Sequence, residues 1–161
     1  MKMIFESQCP LGTFLGPILL SFHGEKLQRV ELFNPESESS DQCMTLRKHP
    51  VTSWFESYFK GESRPIPMDW IAINIFCSKF QLATLNGLME VPLGQVSTYS
   101  QLATAIQRPK SQQAIGNALH QNPCPIIIPC HRIVLKSGGI GGFAWGAKLK
   151  QALLEHETKM V

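Results

Sequence analysis

The residues with most chemistry to offer lie between Asn122 and Arg132, in the run Asn-Pro-Cys-Pro-Ile-Ile-Ile-Pro-Cys-His-Arg. Cys130 supplies a thiol, His131 a titratable ring and Arg132 a fixed positive charge. A free cysteine is only slightly ionised at neutral pH, and a neighbouring imidazole or cation can lower its pKa and make it a nucleophile. Three prolines restrict the backbone around it, so the stretch is expected to be an extended, non-helical wall anchored by Ile126 to Ile128. Adjacent side chains of extended chain point to opposite faces, so a turn, or a water between thiol and ring, has to connect Cys130 with His131. The other ring nitrogen then needs a carboxylate to fix its tautomer, and Glu157 is the best candidate, with Glu155 behind it.

Several elements must position this wall. Residues 18–33 alternate and turn at Gly24-Glu25, which gives two strands of a sheet with one covered face. Asn34 to Gln42 reads as a polar loop. Val51, Trp54, Phe55, Tyr58 and Phe59 recur at helical spacing up to Gly61, and Pro65 and Pro67 mark a connector. A second domain starts near Trp70, so the division is 1–69 and 70–161. In that second part, Ser78 to Glu90 forms a helix that Pro92-Leu93-Gly94 stops. Ser97 or Thr98 caps a helix over Ser100 to Ile106, and Ser111 caps another carrying Ala114, Ile115, Gly116, Ala118 and Leu119. The two have helix-turn-helix spacing, which an ordinary helical hairpin shares. Ala147 to Glu157 forms a last helix with Leu149, Leu153 and Leu154 inside and Lys148 and Lys150 outside; it returns Glu157 towards His131. The fold class is therefore α/β, a small sheet-containing N-terminal domain followed by a mainly helical one.

The 161 residues suffice for one domain or two small ones, and a formal charge of +3 says little about partners. The distribution says more. From Thr98 onward Arg108, Lys110, Arg132, Lys136, Lys148, Lys150 and Lys159 face only Glu155 and Glu157. This excess suits phosphates, or else forms a solvated face balancing an acidic N-terminal half. Five cysteines without paired spacing, no signal peptide and no apolar run of about twenty residues point to a reducing cytoplasmic setting without membrane insertion. Cys9 or Cys43 with His23 or His49 lacks the short ligand spacing of a structural zinc site, so no metal is expected.

The tetrad Pro129-Cys130-His131-Arg132, preceded by Asn122-Pro123-Cys124-Pro125 and followed by Ile133-Val134 and the glycines Gly138 to Gly142, resembles the O6-alkylguanine-DNA alkyltransferases. The resemblance is continuous from about Phe80-Gln81 through Tyr99 to Glu157. It implies a single-use DNA-repair reaction on duplex DNA carrying O6-alkylguanine, and possible action on O4-alkylthymine. It implies that the alkyl group moves irreversibly onto Cys130, with His131 and Glu157 as its relay, in a monomer needing no metal or diffusible cofactor. Tyr99 matches the tyrosine that assists the leaving guanine, and Asn122 the asparagine tying the active-site turn to the preceding helix. The second helix of the pair, with Ala114, Gly116 and Asn117 on a small face, corresponds to the one that enters the minor groove, where extrusion of a base costs a few kcal/mol. Residues 136–146 match the loop over the extruded base.

This chain departs from the family at identifiable places. Gln113 stands where an arginine fills the gap left by the base. Phe143 replaces a tyrosine, Ala144 a serine and Trp145 a glycine, and a family tryptophan near the position of Leu85 is missing. The tryptophan at 145 either narrows the pocket against large alkyl groups or turns outward and leaves size tolerance unchanged. Two other classes compete with alkyl transfer: a lesion-binding module without chemistry, which the presence of Cys130 opposes, and a thiol hydrolase, which the basic face and prolines do not favour.

Overall fold

A computed structural model describes residues 2–5, 15–32, 49–62, 65–73 and 77–161. Cys9, Cys43, Phe33, the expected loop Asn34 to Gln42 and part of the proline connector lie outside these residues.

The alternating pattern does give strands. β1 (Lys2–Phe5), β2 (Ile18–His23) and β3 (Lys26–Leu32) form an antiparallel sheet in that order. Gly24, at φ 60°, makes the turn between β2 and β3 in a conformation that side-chain-bearing residues adopt rarely. Ile18, Leu20, Leu27 and Val30 are buried, which fixes the register because a one-residue slip would turn this apolar set outward. Helix α1 (Pro50–Phe59) starts with His49, whose side chain accepts from the Val51 N–H, and Pro50 fits the first turn, where no donor is needed. Its Val51, Phe55, Tyr58 and Phe59 face inward.

Chain beyond the sheet is tied back to it. Ile71 bridges to Leu27, Ala72 N–H donates to Leu27 O at 2.7 Å, and Val30 N–H donates to Pro123 O at 2.8 Å. Helix α2 (Lys79–Met89) is capped by Ser78, as expected. Gly87 lets it approach the next helix closely, since a Cβ there would come within 2.6 Å of the Ile106 side chain.

Helix α3 (Tyr99–Ala105) is opened by Thr98 in a reciprocal capping box: Thr98 Oγ1 accepts from Gln101 N–H, and Gln101 Oε1 accepts from Thr98 N–H. Helix α4 (Gln112–His120) follows Ser111, but that serine does not cap it. Its hydroxyl donates to Arg108 O at 2.6 Å, because the turn carbonyl is the nearer partner. Helix α5 (Ala147–Thr158) follows, and among the described residues one core runs from the sheet through α1 to α5.

Two short strands do the positioning that matters most. β4 (Ser97–Thr98) pairs in parallel with β5 (Ile133–Val134), Ser97 opposite Ile133 and Thr98 opposite Val134. The start of α3, with Tyr99, is thereby fixed beside the segment that leaves Cys130.

Candidate active site

The stretch before Cys130 is a compact turn and not the extended wall that its prolines suggest. Ile128 N–H donates to Cys124 O at 2.8 Å, Pro125 bridges to Ile128, and Ile126 takes φ 72°. A β-branched residue is strained in the left-handed region and persists there only where its surroundings force it. Here they do: Ile126, Ile127 and Ile128 are all buried, the expected anchor. Cys130, His131 and Arg132 then form one turn of 3-10 helix. Proline removes donors that a ladder would use, while the carbonyls and apolar side chains remain free to close a turn.

Asn122 organises this turn from inside. Its Oδ1 accepts from Cys124 N–H at 3.0 Å, and its Nδ2 donates both to Ile128 O at 2.8 Å and to Cys130 Sγ at 3.1 Å. Cys130 is buried. Burial pushes its thiol up to about 11, while the Asn122 amide and the Lys150 ammonium pull the other way. The lowered thiol expected from the sequence is therefore not the resting condition, because removal from water outweighs the Asn122 amide and the Lys150 ammonium.

Behind the thiol lies a buried ionic cluster. His131 Nε2 is 2.8 Å from Glu157 Oε1, and both side chains are almost entirely removed from solvent. Arg132 donates from Nε to Glu157 Oε2 at 2.7 Å and from Nη2 to Oε1 at 2.9 Å, and its Nη1 donates to Val91 O at 2.6 Å. The Tyr58 hydroxyl donates to Glu157 Oε1 at 2.9 Å. Burial by itself would raise the Glu157 pKa, but hydrogen bonds from His131 and Arg132 more than offset it and hold the carboxyl far below the usual range. An ionised carboxylate only accepts, so His131 Nε2 carries the proton of the neutral ring. Burial holds His131 below its ordinary value despite Glu157, which keeps the ring neutral. Nδ1 then bears the lone pair of a base, and it has no hydrogen-bond partner among the described residues.

Two expectations need correction. Arg132, assigned to the substrate and DNA side, is turned inward, because two oxygens of Glu157 and one carbonyl satisfy its fork. Lys150, expected outside with Lys148, is fully buried; its Nζ donates to Ile133 O at 2.6 Å and to Gly142 O at 3.1 Å. Those two carbonyls satisfy the ammonium in place of water, and burial pushes its pKa down to about 8. Glu155 is exposed and bonded to Gln151, so Glu157 is the carboxylate that meets His131.

On the other side of Cys130 opens a cavity of about 300 Å³. Tyr99, Gly116, Leu119, His120, Cys130 and the loop residues 142–145 line it. Tyr99 is half-buried, and burial, with the nearby Cys130, raises its phenol pKa. Phe143 and Trp145 lie 5.3 Å apart and tilted, and Trp145 turns in to the cavity. Ala144 lines it as well. Gln113, Ala114 and Asn117 are exposed on the outer face of α4 and do not line the cavity. His120 continues that face to the cavity mouth; its spacing of three from Asn117 and seven from Gln113 is the signal that could have found it. Arg108, Lys110, Lys136 and Lys148 are exposed.

The arrangement can deliver a protected thiol to a small substrate group at the cavity wall, with a base behind the thiol and a phenol opposite. Among the described residues no group of three His, Cys, Asp or Glu could hold a metal, and no helix is long and apolar enough to cross a membrane.

Residues 79–159 match the family model described as 6-O-methylguanine DNA methyltransferase, DNA binding domain. The chain is 34% identical over 149 residues to the methylated-DNA–protein-cysteine methyltransferase of Haemophilus influenzae, covering 89% of this chain and 81% of that protein. It is 32% identical over 158 residues to the protein of the same name from Methanosarcina acetivorans, covering 96% of each. Its fold matches the crystal structure of Mycobacterium tuberculosis OGT in complex with DNA with a TM-score of 0.79 at 28% identity, over 99% of this chain and 93% of that one.

Proposed function

The chain belongs to the O6-methylguanine-DNA methyltransferase family, DNA-repair proteins that move an alkyl group from the damaged base to one of their own cysteines, and we propose that Cys130 is the acceptor here. The observation that carries this assignment is that Cys130 lines a cavity while the next residue, His131, is buried against Glu157.

The thiol proton passes through a bridging water to His131 Nδ1, whose opposite nitrogen is held by Glu157. Sγ attacks the alkyl carbon in line, the carbon–O6 bond breaks, and its electron pair stays on guanine. Tyr99 donates a hydrogen bond to the base as that charge develops, which a positioned phenol in a water-poor cavity does well. Asn122 steadies the sulfur while it is anionic. The thioether has no route back to a thiolate, so each molecule acts once.

Two domains, 1–69 and 70–161, share the work in a monomer. Helices α3 and α4 form the helix-turn-helix, with Gln113, Ala114, Gly116 and Asn117 towards the minor groove of duplex DNA and exposed Arg108, Lys110 and Lys136 towards phosphates. Loop 136–146 is the active-site loop, with Phe143, Ala144 and Trp145 against the extruded base. The setting is the cytoplasm, on the nucleoid when bound to DNA. Mass spectrometry after incubation with O6-methylguanine duplex is the test. One added methyl group, mapped to Cys130 and absent from Cys130→Ser, is expected; a methyl on another residue, or undiminished transfer by the serine variant, refutes the assignment.

A further inference from the structure

Tyr58 lies on α1, outside the span 79–159 that matches the family model, yet it reaches the centre of the relay. Its hydroxyl donates to Glu157 Oε1 at 2.9 Å, the same oxygen that accepts from His131 Nε2 at 2.8 Å and Arg132 Nη2 at 2.9 Å. Helix α5 also holds the other end of the residue, since His156 Nε2 donates to Tyr58 O at 2.8 Å. The Tyr58 ring is buried, stacked on Trp54 at 5.4 Å and 14°, and meets the His156 ring nearly edge-on at 5.3 Å. Its donor is therefore locked on the carboxylate from the sheet-and-helix part of the chain.

Resting on the assignment of Cys130 as alkyl acceptor, we propose that Tyr58 is a positioning residue that sets how strongly Glu157 draws a proton onto His131. A carboxylate oxygen that accepts from a phenol has less charge left for the imidazole it also accepts from. The groups acting on the Glu157–His131 pair are Arg132 on its own 3-10 turn, Lys150 on α5 and Tyr58 on α1, while His156 on α5 reaches the Tyr58 carbonyl and ring and Tyr99 on α3 acts on Cys130. Arg132 and Lys150 oppose a second proton on His131, and Glu157 favours it. Tyr58 adjusts the balance by damping Glu157. The base must be unprotonated to take the thiol proton, so protonation of His131 forms the acid limb of the transfer rate against pH.

The test is the single-turnover rate of methyl transfer to Cys130 against pH, at saturating duplex, in wild type and Tyr58→Phe. Phenylalanine keeps the ring for the stack and removes the hydroxyl donor. The acid limb is expected to move to higher pH by about half a unit, roughly a threefold loss of rate on that limb. NMR titration of the His131 imidazole should show the same shift. Site-specific 3-fluorotyrosine at position 58, a stronger donor of nearly the same shape, should move the limb to lower pH and provides the readout if the phenylalanine variant does not fold. Superimposable acid limbs in wild type and the variants that fold, with methyl still found on Cys130, overturn the role of Tyr58. Absence of methyl on Cys130 in wild type would instead overturn the acceptor assignment on which it rests.

Discussion

Replacing Glu157 by glutamine tests the centre of the site with the smallest change of shape. The carboxylate accepts four hydrogen bonds at 2.7–2.9 Å, from His131 Nε2, Arg132 Nε, Arg132 Nη2 and the Tyr58 hydroxyl. An amide has one acceptor oxygen. Its NH2 group is best placed at the Oε2 position, where it opposes only Arg132 Nε, while its oxygen keeps the other three donors. Arg132 is then a mostly buried cation without a counter-charge. Breaking a buried pair in this way costs roughly 3–5 kcal/mol, and the slight exposure of the guanidinium sets the expectation at the lower end, about 3 kcal/mol. Against a total stability of about 5–15 kcal/mol this is a large shift of denaturant midpoint, to be read at pH 7 with an unchanged slope. The pH dependence has a definite sign. Because the folded Glu157 pKa is depressed, its stabilisation is fully present above the unfolded value, about 4.3, and is lost as pH falls through the folded value. The gap between wild type and Glu157→Gln should therefore narrow as pH drops below about 4.3. Transfer should slow by about 10²-fold, since the imidazolium formed at His131 loses its anion. Equal midpoints at pH 7, together with a rate within about twofold of wild type, would refute the account of Glu157 as a buried ionised partner.

At saturating protein, Gln113→Arg should speed transfer on paired duplex and gain less on single-stranded DNA, where little unstacking is needed, and Gln113→Ala should slow the duplex reaction modestly; equal duplex rates for all three would remove residue 113 from base extrusion. Lys150→Met should unfold within about 1–2 kcal/mol of wild type, because removal of a buried cation offsets the bonds to Ile133 O and Gly142 O. The same change should raise the thiol pKa followed by ultraviolet absorbance and slow transfer about tenfold, and an unmoved thiol titration would separate Lys150 from Cys130.

What the sequence showed and what it hid divide along physical lines. Alternation from Leu27, the aromatic spacing of α1 and the Ser78 cap are local signals, and each leads to the element observed. The meeting of His131 with Glu157 is legible because an imidazole beside a thiol calls for a carboxylate and helix α5 has the reach to return the glutamate. The inward turn of Arg132 was not legible, since an arginine beside a nucleophile suits a phosphate as well as it suits a carboxylate. Lys150 was hidden by habit more than by physics: Glu157 follows it by seven residues, almost two helical turns, so a face that brings the glutamate inward brings the lysine too. Tyr58 had no local signal for its contact. It fits the packing stripe of α1, and its partner lies 99 residues away.

The resting state of Cys130 follows from the same burial. With the thiol held above its ordinary pKa by burial, little thiolate stands at pH 7, and free electrophiles meet a weak nucleophile. For a protein that acts once, a standing thiolate would be consumed by any reactive small molecule. The groups that favour the anion are in place but divided: Asn122 touches the sulfur, Lys150 acts from across the loop, and His131 Nδ1 waits as a base. Even together they do not overcome desolvation. In the proposed reaction, ionisation becomes worthwhile only when the proton can move to His131 as the sulfur binds carbon, a coincidence that a bound alkylated base provides. On that reading, selectivity for the lesion resides partly in the thermodynamics of the thiol, and the shape of the cavity need only align the alkyl carbon with Sγ.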